Sequence, residues 1–414
     1  MAMNMAATHA VNRKLFDPIF EANAACKAAI AKFGAEKVTN ATIGTVLDED
    51  GKLEVLPTVE KVFREMAMAD FMSYAPISGR ADFIEGVRCQ ILGDKDFEGY
   101  FGAVATSGGT GAIHHAVANY AERGEKVLTS DWFWGTYNVI CNETGKKLET
   151  FKLFDDDYKF FNFENFTAKV EEILAVQKSL LIIINSPAHN PTGYSLSNSE
   201  WEKVLEILNS CAKGGKKINL LVDIAYIDFA GDKETAWGFI EKFKNLPKNL
   251  LVLISLSMSK SYTLYGQRCG ALAAISSSAE IIEEFNDTNK YSSRAVWSNI
   301  NHGAQILFTR INNDSILSKN LTADQKFLRE HVNRRAEVFV NEAASCGLKI
   351  VPYKGGFFIA VPAENPAAVC KKLQEDLIFA VPLKLGIRVA ACSTPLKKIS
   401  GVAEKIKSAM DSLK

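Results

Sequence analysis

The run SLSMSKSYTLYGQRCG places Lys260 at the end of an apolar, strand-like stretch, with Arg268 eight residues on and Gly270 beyond it. A lysine held at a strand end near a second cation has its pKa lowered enough to form a Schiff base with a carbonyl. Arg268 would supply that cation and would grip a phosphate through its planar guanidinium. On its own a lysine after a strand is an ordinary solvated side chain, so this chemistry needs support from elsewhere in the chain.

Three other segments offer it. ATSGGTGAIHHAV reads as strand, glycine-rich turn and helix, in which Gly108, Gly109, Thr110 and Gly111 present backbone N–H groups and a hydroxyl to a phosphate at the positive end of the helix. It is not the dinucleotide fingerprint, because no third glycine follows at the required spacing. LLIIINSPAHNPTGYSLS delivers Asn185, Asn190, Pro191, Thr192 and Gly193 in a turn, and LLVDIAYIDF sets Asp223 at a strand end with Tyr226 three residues on. Taken singly, these are a common glycine turn, an Asn-Pro turn and a helix cap.

The elements that must position these residues are visible as apolar runs. From about Phe101 to Ile275, AVATS, KVLTS, LLIIIN, INLLVD, LLVLISLS and ALAAIS alternate with segments of helical period, which predicts a mostly parallel sheet covered by helices on both faces. In such sheets ligands collect outside the carboxyl ends of the strands. The chemistry is therefore expected at Ser107 to Thr110, Asn185 to Gly193, Asp223 to Tyr226 and Ser257 to Lys260. Beyond roughly Ser315 a long helical stretch leads to short strands LKIVPY, GGFFIAV, IFAVPL and GIRVAACS and a closing helix, the pattern of a smaller α+β domain. The first 45 residues carry a helical run, Asp17 to Phe33, and a turn-rich IGTVLDEDGK, and are expected to pack on that smaller domain.

Composition bounds the function. A chain of 414 residues holds two to three domains of about 100–200 residues each. Hydrophobic residues at 47% and charged residues at 23% exclude a disordered or fibrous chain. Lys plus Arg and Asp plus Glu are both 48, so no excess charge draws nucleic acid or an anionic membrane. The eight cysteines form no C-x-x-C pair and no metal-ligand spacing with histidine, which points to a reduced, cytoplasmic protein without a metal site. MAMNMAATHAVNRK lacks the pattern of a signal peptide, and the longest apolar runs are too short to span a bilayer. Small molecules and a second copy of the chain are the expected partners.

The four chemical segments occur in order, each at the end of a separate strand. In that arrangement S-x-S-K-S followed by G-x-R-x-G, with H-N-P-T-G and D-x-x-Y upstream, resembles the fold-type I pyridoxal-phosphate enzymes, class I, and within them the aspartate and aromatic aminotransferases. The resemblance runs from IGTVLDEDGKLEVLP to GIRVAACS. It implies an α/β fold in which a large domain, residues 47–315, holds a mostly parallel seven-stranded sheet between helices. Residues 316–414 would form the smaller α+β domain, on which segment 1–46 packs.

Residue by residue, Lys260 is similar to the lysine that binds pyridoxal 5′-phosphate in a Schiff base and shuttles a proton between Cα and C4′. Asp223 resembles the carboxylate that keeps the pyridine nitrogen protonated, so that the ring serves as an electron sink. Tyr226 and Asn190 look like the partners of the ring hydroxyl, and Gly109, Thr110, Ser257 and Arg268 like the phosphate cup. Trp132 resembles the ring stacked on the cofactor, and Tyr74 the tyrosine that reaches the phosphate of the neighbouring subunit, which implies a homodimer with shared active sites. Arg388 is similar to the arginine that binds the substrate α-carboxylate, and Ile43 and Gly44 to the segment that closes over substrate. Arg294 resembles the arginine that crosses from the partner to read a distal carboxylate, so aspartate, glutamate and 2-oxoglutarate are expected, with aromatic substrates as a second use of the same pocket. One departure stands out: three residues after Trp132, where the aspartate enzymes have a histidine behind the ring-pairing carboxylate, this chain has Gly135. The implied activity is ping-pong transfer of an amino group to a 2-oxo acid. A β-lyase or decarboxylase on the same fold and a non-catalytic regulator remain open alternatives.

Overall fold

The structure is a computed structural model that describes residues 5–11, 13–93 and 97–413. Its first helix, Pro18–Phe33, starts where the Asp17 carboxylate accepts the N–H of Ile19 at 2.9 Å, with proline in the first turn, where a missing donor costs nothing. The helix buries Cys26 against Val38 and Phe379, and strand β1 (Thr39–Asn40) then pairs in parallel with residues 378–379 near the other end of the chain.

The central sheet is built from β2 (Tyr100–Thr106), β3 (Lys126–Ser130), β4 (Lys147–Phe151), β5 (Ser179–Asn185), β6 (Lys217–Asp223), β7 (Leu250–Ser257) and β8 (Gly270–Ser276). Their order is β2-β8-β7-β6-β5-β3-β4, with β8 antiparallel to both neighbours and the other pairings parallel. Leu180, Ile182 and Ile184 of β5 join one apolar cluster, and Leu181 and Ile183 join the cluster on the opposite face. A strand covered on both faces has no reason to alternate polar and apolar residues, which is why LLIIIN and LLVLIS are continuous apolar runs. Strand β4 escaped the sequence reading because it is an edge strand with little burial, its Lys147 and Glu149 giving no apolar run.

The smaller sheet comprises β9 (Phe358–Pro362), β11 (Val381–Pro382) and β12 (Gly386–Ala390) in antiparallel order β11-β12-β9, while β10 (Ile378–Phe379) is the partner of β1. The expected strand LKIVPY does not form: Val351 donates a single bond to Ala360, at 3.1 Å, and Pro352 has no N–H with which to continue a ladder. A helix of 32 residues, Ser315–Cys346, connects the two cores, contributing Leu321, Leu328 and Val332 to the large one and Ala336, Phe339 and Ala343 to the small one. Among the described residues no helix is long and apolar enough to cross a membrane.

The small sheet packs tightly at Gly386, where an added Cβ would lie 2.1 Å from the Val361 carbonyl oxygen of the adjacent strand and 2.8 Å from the Trp132 ring of the large core. Gly386→Ala is therefore expected to destabilise the protein by about 1–3 kcal/mol, read as a lower urea midpoint, since neither backbone nor a packed tryptophan can yield. An unchanged midpoint would show that this contact is slack.

Candidate active site

Strands β5, β6 and β7 lie side by side with Asn185 opposite Asp223 and Asp223 opposite Ser255, so their carboxyl ends deliver polar groups to one edge of the sheet. From the end of β7 the chain turns through Met258–Ser261, which carries Lys260, and the end of β2 leads into the helix Gly108–Tyr120. A cavity of about 320 Å³ opens there. It brings together Gly109, Thr110, Asn190, Asp223, Tyr226, Ser257, Lys260 and Arg268 of the expected set, with Gly44 from the N-terminal segment and Arg388 from β12.

At one end the helix Gly108–Tyr120 presents its first turn, whose N–H groups have no partner within the helix and carry the positive end of its dipole. Gly108 has φ +64°, and an added Cβ at Gly109 would lie 3.2 Å from that of Ser257 and 3.3 Å from Ser255 Oγ. The turn thus stays close enough to β7 for Thr110 and Ser257 to line one pocket. Arg268 stands at the rim, its Nη1 donating to Ser259 Oγ at 3.2 Å and to the Tyr265 carbonyl at 2.9 Å. This set of donors is one that a phosphate fills.

Deeper in, Asp223 is 4% exposed. Burial pushes its carboxyl up to about 6, against the opposing effect of the Tyr137 hydroxyl at 2.6 Å and the Ala225 N–H at 3.2 Å. No cation bonds to it among the described residues. Asn185 donates to the Asp223 carbonyl at 2.7 Å and accepts the Asn190 N–H at 2.7 Å, which fixes the Asn-Pro turn to the strand. Asn190 in turn donates to the Tyr226 hydroxyl at 3.4 Å, and burial holds that phenol well above its ordinary range.

Lys260 Nζ donates to the Gly44 carbonyl at 2.7 Å. Burial lowers its pKa to about 8, with Cys392 opposing the shift and Arg388 and then Arg268 adding to it. The amine thus gives up its proton more readily than an ordinary lysine, as Schiff-base formation requires. Desolvation does most of what had been expected of Arg268. Arg388 is 2% exposed and burial pushes it down to about 10. Its Nη2 donates to the Thr42 carbonyl at 2.7 Å, its Nη1 to Asn190 at 3.3 Å, and its guanidinium carbon lies 4.2 Å from the centroid of the Phe358 ring. Nε is buried without a partner, a donor left over for a ligand.

Four expected residues lie outside this cavity. Tyr74 is 89% exposed, and Arg294 is exposed at the end of the helix Ala279–Val296, bonded to Ser298 at 2.6 Å. Ile43 stands next to the cavity residue Gly44, with its carbonyl accepting the Cys392 thiol at 3.6 Å. The Trp132 assignment is corrected: this ring sits in the large core against Gly386, and the aromatic wall of the cavity is Trp134. After β3 the Asp131 carboxylate accepts the N–H groups of Trp132 and Leu153, which turns the chain so that the second tryptophan, not the first, faces the site. The sequence held a usable signal. Tyr137 follows Trp134 by three residues, so a donor behind the carboxylate is present at the spacing that seemed empty after Trp132. Ile19, Thr45, Tyr265 and Phe358 also line the cavity and were not anticipated.

Residues 36–406 match the family described as aminotransferase class I and II. The chain belongs to this family. It is 40% identical to an aminotransferase from Anaerococcus prevotii of known structure, with a TM-score of 0.96 over 99% of this chain and all of that one. An aromatic-amino-acid aminotransferase from Burkholderia pseudomallei, described as covalently bound to pyridoxal phosphate, shares the fold at 22% identity, with a TM-score of 0.81 over 98% of this chain and 100% of that one. The aromatic-amino-acid aminotransferase of Paracoccus denitrificans is 29% identical over 64% of this chain, and the match spans 66% of that relative, just under two thirds of its length.

The family takes pyridoxal 5′-phosphate, and the residues present fit it. The glycine-opened helix, Thr110, Ser257 and Arg268 would hold the phosphate, and the buried Asp223 carboxylate lacks the positive partner that a protonated pyridine nitrogen offers. A carboxyl raised from its ordinary value near 3.8 to about 6 costs the cofactor-free fold about 3 kcal/mol once ionised. Because the raised group binds its proton more tightly in the folded state, stability falls as pH rises from about 4 to 6 and is level above that. Asp223→Asn is thus expected to raise the melting temperature of the cofactor-free protein more at pH 8 than at pH 4.5. A pH-independent difference would show that the carboxyl is not strained by burial.

Proposed function

We propose that this protein is a homodimeric, cytoplasmic aminotransferase that moves the amino group of an L-amino acid, aspartate or aromatic, to a 2-oxo acid such as 2-oxoglutarate by a ping-pong route. The observation that carries the reading is the convergence of Lys260, Asp223 and Arg388 on one cavity, with the lysine near 8 and the arginine holding an unused donor. Pyridoxal 5′-phosphate, when bound, supplies an aldehyde carbon that exchanges amines and a conjugated ring that takes up the electron pair left on Cα.

The chain's own residues do the rest. Arg388 binds the α-carboxylate through its planar fork and so orients the substrate. Lys260, as the free amine, would take a proton from the substrate Cα and return it at C4′, the former aldehyde carbon; an amine lowered to about 8 is free of its own proton more often than an ordinary lysine. Asp223 would hold the ring nitrogen protonated, and Tyr226 with Asn190 would bond the ring oxygen. Gly44 and Arg388 come from outside the large sheet, so the lining of the site is complete only with the N-terminal segment and the small sheet in place.

Arg294 and Tyr74 support the dimer. Both are exposed and away from this chain's cavity, as residues that serve a neighbour's site must be. Arg294 from the second subunit would pair with a distal carboxylate, whereas Ile19, Ile113, Trp134 and Phe358 give the cavity an apolar wall suited to an aromatic side chain. The cytoplasmic assignment rests on eight free, scattered cysteines.

Incubated with pyridoxal 5′-phosphate, the purified protein should turn yellow and Lys260→Ala should stay colourless and inactive; a coloured variant would remove the lysine from its role. For Arg294→Ala the loss of kcat/KM should be about 100-fold for dicarboxylic substrates and under about 5-fold for aromatic ones. Equal losses would mean that this arginine does not read substrate. Release of ammonia or CO2 without a 2-oxo acid acceptor would replace transamination with the lyase or decarboxylase alternative.

A further inference from the structure

Tyr137 is a fully buried side chain on the helix Thr136–Glu143. Its hydroxyl donates to Asp223 Oδ2 at 2.6 Å, and its ring meets that of Trp134 edge-on, with centroids 5.7 Å apart and planes at 83°. Those two neighbours line the cavity, but Tyr137 is not among the lining residues. One side chain behind the wall therefore touches both the carboxylate and the aromatic face of the site.

We propose that Tyr137 is the positioning residue of this site, its hydroxyl holding Asp223 ionised and in place for the ring nitrogen and its ring setting the angle of Trp134. The inference rests on the cofactor reading above. The physical argument is one of supply. A buried carboxylate keeps its charge only through donors, and among the described residues the Asp223 carboxylate has two: the Ala225 N–H at 3.2 Å and the shorter Tyr137 hydroxyl at 2.6 Å. Burial and the adjacent Asp223 charge hold the Tyr137 phenol well above its ordinary range, so it remains a donor across the working pH range. The other groups around Asp223 do not compete for this task. Asn185 of β5 bonds its carbonyl rather than its carboxylate, Tyr226 bonds Asn190, and Lys260 and Arg388 bond the carbonyls of Gly44 and Thr42.

The test uses the cofactor-stripped full chain and pyridoxamine 5′-phosphate, a probe that carries the ring and phosphate but forms no bond to Lys260. Tyr137→Phe keeps the ring and loses the donor. Its dissociation constant at pH 7.5 should rise about ten-fold, and the pH below which binding fails should move up by about one unit, because Asp223 without its donor takes a proton more readily. Tyr137→Leu also removes the ring and should weaken binding about ten-fold beyond the phenylalanine variant; Tyr137→Met replaces it where the leucine variant does not fold. A merely structural tyrosine would lower the melting temperature and leave the acid limb where it was. An acid limb and affinity unchanged in Tyr137→Phe overturn the role of the hydroxyl, and equal affinity of the phenylalanine and leucine variants overturns the role of the ring. If the parent protein binds neither pyridoxamine nor pyridoxal 5′-phosphate, the cofactor reading falls first and this inference with it, an outcome distinct from the other two.

Discussion

A carboxylate buried in the middle of a parallel sheet is the constraint around which this protein is arranged. Asp223 ends a strand whose neighbours are apolar up to their own polar ends at Asn185 and Ser255, and its charge is met by the Tyr137 hydroxyl and the Ala225 amide. The surrounding polar groups follow from that demand. Asn185 ties the back of the same residue to the Asn-Pro turn, that turn offers Asn190 to Tyr226 and Arg388, and Arg388 reaches across to the N-terminal segment at Thr42. A group whose charge is costly to bury thereby organises a network that spans the large sheet, the small sheet and the first fifty residues.

The parts of this plan that were legible in the sequence share a physical cause. Strands buried on both faces leave unmistakable apolar runs, and in a parallel sheet every such run ends on the same edge, so the residues following LLIIIN, INLLVD and LLVLISLS had to meet. The parts that were not legible depend on forces that leave no periodic trace. β4 is held by pairing rather than burial, and LKIVPY carries strand-like residues that lack a partner once Pro352 interrupts the donors. The two tryptophans differ by two positions, and only the turn set by the Asp131 carboxylate decides which of them faces the cavity. The resemblance was placed on the first; asking where a buried carboxylate would find its donor favours the second.

The lysine illustrates how magnitude decides between causes. A neighbouring cation was the expected reason for its lowered pKa, yet burial is the largest contribution and Arg388 precedes Arg268. This separates two duties that the sequence had assigned to one residue. Arg268, exposed at the rim and bonded to Ser259 and to the Tyr265 carbonyl, is free to serve as an anion donor, while the apolar walls around Lys260 prepare the amine.

The 32-residue helix that joins the two cores has a mechanical consequence. At 1.5 Å per residue it is a stiff rod of about 48 Å, of which about 21 Å lies beyond its seat at Val332, and a tilt of roughly 5° there carries the far end about 2 Å. Ile387 and Val389 of the strand that bears Arg388 share the small core with Ala336, Phe339 and Ala343 from the outer half of that rod. A shift too small to disturb the packing at Leu328 and Val332 would thus be geared up into a displacement of about 2 Å at the far end of the rod. The molecule needs no loose joint to open and shut, only a lever long enough for its fulcrum.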